Sequence, residues 1–269
     1  MSPNIYRFEL RMKRRSAVIW SLAAVGVTLL YMVFFPTFAN QAALLRELMT
    51  RFPREFLEAF GISRVDMSAV LGFYSFLFLF VQLLMAVQAS LYGFGLVSVE
   101  EAEMTADFLL TRPVTRAQAL TSKLLAAATA LLLTDLALWL ATPLILHAFR
   151  HGQTIDVRTL GLMLASLPPF QAFFLFVGVA VSLLAPRVRN ATSYALGLAF
   201  GMYLLAAFSG MAGDVKLEWI TPFKQFDAQS IVLDRTWDLP LASLGLSIAL
   251  IALVVSYWRY LHRDIPAAA

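Results

Sequence analysis

The sequence predicts an all-α integral membrane protein. It reads as six transmembrane helices, an N-terminal interfacial helix, a short inner helix between spans 2 and 3, and short outer helices between spans 1 and 2 and between spans 5 and 6. Composition is the first reason: of 269 residues, 60% are hydrophobic and 14% charged, with a mean hydropathy of +0.74. A soluble domain carries roughly 45–50% apolar and about 25% charged residues, so an excess of this size has to face lipid. The second reason is length. Six stretches, at approximately residues 16–36, 68–96, 119–146, 159–184, 191–212 and 240–259, are apolar over the roughly 20 residues that a helix needs to cross a bilayer. The third is that no barrel-like alternation interrupts them, and a helix satisfies its own backbone in lipid. Residues 1–269 read as one transmembrane domain.

Residues 3–15 place Ile5, Phe8 and Met12 on one helical face and Arg7, Arg11 and Arg14 on another, the pattern of a helix lying in the headgroup layer. An ordinary basic flank of the first span explains the same residues, and both readings stay open. The apolar run behind this flank, about 21 residues, exceeds the 7–15 residues of a signal-peptide core and has no clean small-residue cleavage site, which predicts a retained helix. Residues 40–60 are amphipathic and interrupted by Pro53, predicting two short outer helices closed by Gly61. Residues 213–239 are too long for a tight turn. Their Trp219, Ile220, Phe223, Phe226, Ile231 and Val232 predict short helices that dip into the outer interface.

Orientation follows from the basic residues. With the N-terminus inside, Arg7, Arg11, Lys13, Arg14, Arg15, Arg112, Arg116, Lys123, Arg187, Arg189, Arg259 and Arg263 fall on short inner segments, 12 of the 21 lysines and arginines. Both termini are then cytoplasmic.

Several function classes are excluded. There is no cysteine, hence no disulfide, thiolate metal site or cysteine nucleophile. His147 and His151 are four apart, but no nearby carboxylate completes a metal set, and His262 stands alone. No G-x-x-x-x-G-K-[ST] and no Gly-Lys pair occurs, so the chain has no P-loop for a nucleotide. The net charge of +4 gives no reason to expect nucleic acid as a partner. No constellation of residues offers the chemistry of a membrane enzyme.

The passage SVEEAEMTADFLLTRPVTRAQALTSK, residues 98–123, concentrates charge between two apolar runs. On a helix, Glu100, Glu103 and Asp107 share one arc and Val99, Ala102, Ala106, Leu109 and Leu110 the next, with Met104 and Phe108 on the other flank. Pro113 ends that helix by restricting Arg112. Thr115 and Gln118 have capping-box spacing for the start of the third span.

This passage resembles the signature of ABC-2 type permeases, the membrane subunits of ATP-binding-cassette exporters. Their pattern of acidic stretch, Gly-Thr, Leu-Leu, Pro-Val, Ser/Thr-Arg and a later lysine is matched by Glu103-Met104-Thr105, Leu109-Leu110-Thr111-Arg112-Pro113-Val114-Thr115-Arg116 and Lys123, with Met104 where glycine is common. FPREFLEAFGI (52–62) and LEWITPFKQFDAQSIV (217–232) are similar to one branch of that family, and the resemblance extends over essentially the whole chain. It implies a cytoplasmic coupling helix between spans 2 and 3 that docks on an ATPase subunit. Glu100, Glu101, Glu103, Asp107, Phe108, Arg112, Pro113 and Arg116 would form the docking surface. It implies further that no cofactor is bound by this chain, ATP and Mg being held by the partner. A second permease copy, as a homodimer, or a similar subunit would complete the pathway in a prokaryotic plasma (inner) membrane.

The polar residues inside the spans allow other uses. Asp135, mid-way along the third span, costs about 2.5–3.5 kcal/mol on translocon scales. It is a structural aspartate bonded to a neighbouring helix or, in an ATPase-independent secondary transporter, a proton or cargo site. No inverted repeat with matching broken helices accompanies it. Gln82, Gln88 and Gln171 are suited to hydrogen bonds between helices. Phe73, Phe76 and Phe80 form a stripe that packs against a helix or lipid, or that lines a pathway for apolar cargo. Gly197 and Gly201, a G-x-x-x-G, permit close helix approach within the bundle or across a dimer.

Overall fold

A computed structural model describes residues 1–41, 65–102, 115–185, 190–209 and 217–262, and every regular element among them is helical. Six segments are long and apolar enough to cross a membrane: Pro3–Asn40, Val70–Leu96, Arg116–Phe149, Val157–Leu184, Ala191–Ser209 and Leu239–His262. They coincide with the six expected spans.

The first span is α1 (Pro3–Met32), followed by the short α2 (Phe35–Asn40). Pro3 sits in the first turn, where its missing N–H costs nothing. Nothing in Met12-Lys13-Arg14-Arg15-Ser16-Ala17 breaks a helix, so the amphipathic segment expected as a separate interfacial helix is the beginning of α1 itself. Phe8 and Met12 are exposed on it beside Arg7 and Arg11. The two outer helices expected from residues 40–60 lie, beyond Gln41, outside the described residues.

The centre of the bundle is the second span, α3 (Val70–Ala102), pressed against the fourth, which has two parts, α5 (Val157–Ala165) and α6 (Leu167–Leu184). Two glycines set the approach of α3 and α6. A Cβ on Gly93 would stand 2.5 Å from the Leu175 carbonyl oxygen, and one on Gly178 would stand 3.3 Å from the Gly93 Cα. The third span, α4 (Arg116–Phe149), lies parallel to α1: the Ser2 amide donates to Ser122 Oγ (2.8 Å), and the hydroxyls of Tyr6 and Thr129 meet at 3.1 Å. The fifth span, α7 (Ala191–Ser209), packs on α3, and the last, α10 (Leu239–His262), on α6.

The fourth span was expected as one helix over 159–184. Pro168 and Pro169 divide it at Ser166, because neither has an N–H for the preceding turn. The Leu164 carbonyl, which residue 168 would ordinarily serve, takes the Trp139 Nε1–H at 3.0 Å instead. Trp237 Nε1 donates to the Leu162 carbonyl nearby, also at 3.0 Å.

Between the fifth and sixth spans the chain folds back as a wedge made of a 3₁₀ turn (Leu217–Trp219), α8 (Pro222–Gln225) and α9 (Ala228–Asp234). Short helices thus occur in the stretch where the sequence predicts them. Phe223, Phe226 and Ile231 are buried while Trp219 and Ile220 are exposed. Phe223 meets the rings of Phe170, Phe174 and Tyr203. Non-helical backbone at this depth is tolerable only when its polar groups are satisfied inside protein. Gln82, twelve residues or about 18 Å along α3 from Val70, donates from Nε2 to the Phe226 carbonyl (2.8 Å). Thr221 Oγ1 donates to the Met202 carbonyl (2.7 Å) and Gln225 Nε2 to that of Trp219 (2.9 Å).

Candidate coupling end and intramembrane polar site

Four helix ends gather at one end of the bundle. Lys123, on the second turn of α4, is buried to 1% exposure and reaches the Leu96 carbonyl of α3 at 3.5 Å. Arg116 Nη1 donates to the Leu261 carbonyl near the end of α10 (3.5 Å), and the hydroxyls of Thr121 and Tyr257 join α4 to α10 at 2.8 Å. With the Ser2–Ser122 bond, these contacts place the start of α1, the end of α10, the last turns of α3 and the start of α4 on the same side.

The helix of α3 does not stop where the second span was expected to end. It continues unbroken to Ala102, so the backbones of Glu100 and Glu101 belong to its last turn. Glu103, Asp107, Phe108, Arg112 and Pro113 lie outside the described residues, as does Met104. On the far side Thr115 begins α4 with the expected capping box: its Oγ1 accepts from the Gln118 amide (3.2 Å), and Gln118 Oε1 accepts from the Thr115 amide (3.3 Å). Of the expected docking residues Arg116 is the one whose side chain is described, and it also ties α4 to α10. Lys123 entered the sequence reading only as part of a motif. Its neighbours in Thr121-Ser122-Lys123-Leu124 give no hint that it is buried.

Deeper in the bundle α3, α4 and α6 bring four polar side chains together. Gln88 Nε2 donates to Thr134 Oγ1 (2.9 Å). Asp135, the next residue, is 2% exposed, and Gln171 of α6 faces it. Among the described residues, neither Asp135 oxygen, neither polar atom of Gln171 and not Gln88 Oε1 has a partner at hydrogen-bond length. Thr134 was missed in the sequence because a threonine in a span is unremarkable until a glutamine from another helix points at it.

The remaining candidates are distributed elsewhere. Phe73 packs on Phe35 and Phe38 of α2 (ring centroids 5.5 and 5.1 Å), Phe80 stacks on Tyr31 of α1 (5.7 Å), and Phe76 touches Phe80 (5.6 Å). A Cβ on Gly197 or Gly201 would meet nothing within 4 Å, so neither makes a close helix approach among the described residues. His147 and His151 share no helical face, because α4 ends at Phe149 and His151 turns to a φ of 50°. Among the described residues no group of three histidines, aspartates or glutamates could hold a metal ion.

Residues 3–265 match the model of a family described as ABC-2 family transporter protein. The chain belongs to that family. No curated protein matches it. As an ABC-2 family member with six membrane-spanning segments, it is a multi-pass membrane permease component of an ABC transporter. The family is generally a non-catalytic membrane component and implies an ABC ATPase as partner.

Proposed function

We propose that the chain is the transmembrane subunit of an ABC exporter, driven by a separate ATPase that docks on residues 97–116. Both termini face the cytoplasm of a prokaryotic cell, and two copies, or one copy with a similar subunit, enclose the pathway in the inner membrane. ATP and Mg are held by the partner.

The observation that carries this reading is the route of the chain through the charged passage. It is entered by α3 as an unbroken helix and left by α4 with a closed capping box, and Lys123 fastens the two. A partner pressing on residues 103–114 therefore pushes on two spans at once, one of which runs through the centre of the bundle. Glu100, Glu101, Glu103 and Asp107 supply charge for basic residues of the partner, and Phe108 an aromatic anchor of the kind that dominates interface energetics.

Copurification of the ATPase with Glu100→Lys, Glu103→Lys and Phe108→Ala tests the reading. Each variant is expected to lose most of the bound ATPase while inserting in the membrane at the wild-type level. Unchanged copurification in all three would overturn the docking assignment.

A further inference from the structure

A groove of about 520 Å³ runs between α4 and α5, within the roughly 300–1,000 Å³ of sites that take small molecules. Its floor is apolar, formed by Pro143, Gly161 and Leu164, and the bond from Trp139 Nε1 to the Leu164 carbonyl closes one end. His147 and Arg150 stand at the other end. The groove is thus greasy along its length and basic at one extremity only.

Its length has a natural measure. From Trp139 to Arg150 is eleven residues, about 16 Å along a helix, which is half of the roughly 30 Å hydrocarbon core. The basic end lies at the end of α4, on the side away from the start of α1 and the end of α10. Arg150 is held there by the turn that follows. Its carbonyl accepts the Gln153 amide (2.9 Å), and Gln153 is fixed in turn by bonds to Ser68 and Val70. No carboxylate forms an ion pair with Arg150 among the described residues. The nearest acid in sequence, Asp156, is occupied with the start of α5 and with Arg235.

We propose that this groove binds an anionic phospholipid of the leaflet on that side, one acyl chain lying over Gly161, Pro143 and Leu164 and the phosphate held by Arg150 with His147. A leaflet-deep apolar channel capped by a guanidinium with no ion pair among the described residues fits that shape and charge. A second protein helix would bury the Arg150 charge without a described partner.

Gly161 makes the idea testable without disturbing the bundle, because a Cβ there meets nothing within 4 Å. The purified chain is mixed with phosphatidylglycerol or phosphatidylcholine in mild detergent, and bound lipid is counted by native mass spectrometry. Wild type is expected to retain phosphatidylglycerol over phosphatidylcholine by about tenfold, or about 1.4 kcal/mol, because the choline cation beside the shared phosphate offsets the negative charge that Arg150 meets. Gly161→Trp should lose both lipids. Arg150→Gln, an exterior change independent of how the tryptophan variant folds, should keep a bound lipid but bring the ratio close to one. Equal retention by wild type and Gly161→Trp, or an unchanged ratio in Arg150→Gln, overturns the proposal. So does a Gly161→Trp variant that keeps its lipid and loses a dimer, since that assigns the groove to a second copy.

Discussion

Gln82 and Gln88 lie less than two turns apart on the same helix and have opposite circumstances. Gln82 faces the wedge and spends its amide on the Phe226 carbonyl, so a backbone break inside the bundle is satisfied. Gln88 donates to Thr134, and the next residue, Asp135, faces Gln171, so that a carboxyl and two amides are buried with atoms that have no partner among the described residues. The first region is polar because the fold needs it to be, and the bonds close. The second holds more polar capacity than the fold uses, which makes it the better place to look for something other than stability.

The harshest way to break the contrast is to separate the helices that bury both regions. Gly93→Leu drives a side chain into the α6 backbone at Leu175, and overpacking of this kind costs about 1–3 kcal/mol or more. Little folded protein should elute as a single peak in size-exclusion chromatography, whereas Gly197→Leu, with open space around it, should elute like wild type. Next in size is Gln82→Leu, which strands the Phe226 carbonyl and should lower stability by about 1–3 kcal/mol, seen as a lower Tm in detergent. Asp135→Leu sharpens the comparison from the other side. It removes a buried carboxyl that has no partner at hydrogen-bond length among the described residues, so Tm should stay level or rise. A fall as large as that of Gln82→Leu would mean that the carboxylate is bonded after all. If Asp135→Asn stops transport at unchanged Tm, the cluster belongs to function.

The smallest effect concerns an aspartate in the opposite situation. Asp156, just outside the fourth span, accepts from Thr159 Oγ1 (2.8 Å) and from the Arg158 amide (3.1 Å), and Arg235 lies 3.9 Å away. The Thr159 bond above all holds its carboxyl below the ordinary 3.8. Its contribution is therefore fully present above about pH 4 and is lost as the pH falls through the lower folded value. The Tm difference between wild type and Asp156→Asn should be positive at pH 6 and shrink towards pH 3.

Much of this was legible because lipid imposes simple rules. Six long apolar runs had to be six helices, and the Thr115–Gln118 spacing had to cap the third. Phe223 and Phe226 in 217–232 were too apolar for an open loop, and they are buried. What was not legible depends on partners distant in sequence. Gly197 and Gly201 match a packing motif yet have open space around them among the described residues, while Gly93 and Gly178, on two different helices and in no motif, make the close approach. The acidic residues at 100 and 101 looked like the start of a separate helix. Hydropathy marks where a span leaves lipid, and has no means of marking where its hydrogen bonding stops.

The bond between Trp139 and the Leu164 carbonyl makes two distant positions depend on one another. Pro168 vacates an acceptor, and an indole from another helix fills it. With any other residue at 168, a backbone amide competes for that oxygen and the tryptophan loses its purpose. With a residue at 139 that cannot donate, the proline leaves a carbonyl stranded. The two sites accept change together more readily than separately. In a double-mutant cycle their effects should fail to add, although 29 positions of sequence and a helix boundary lie between them.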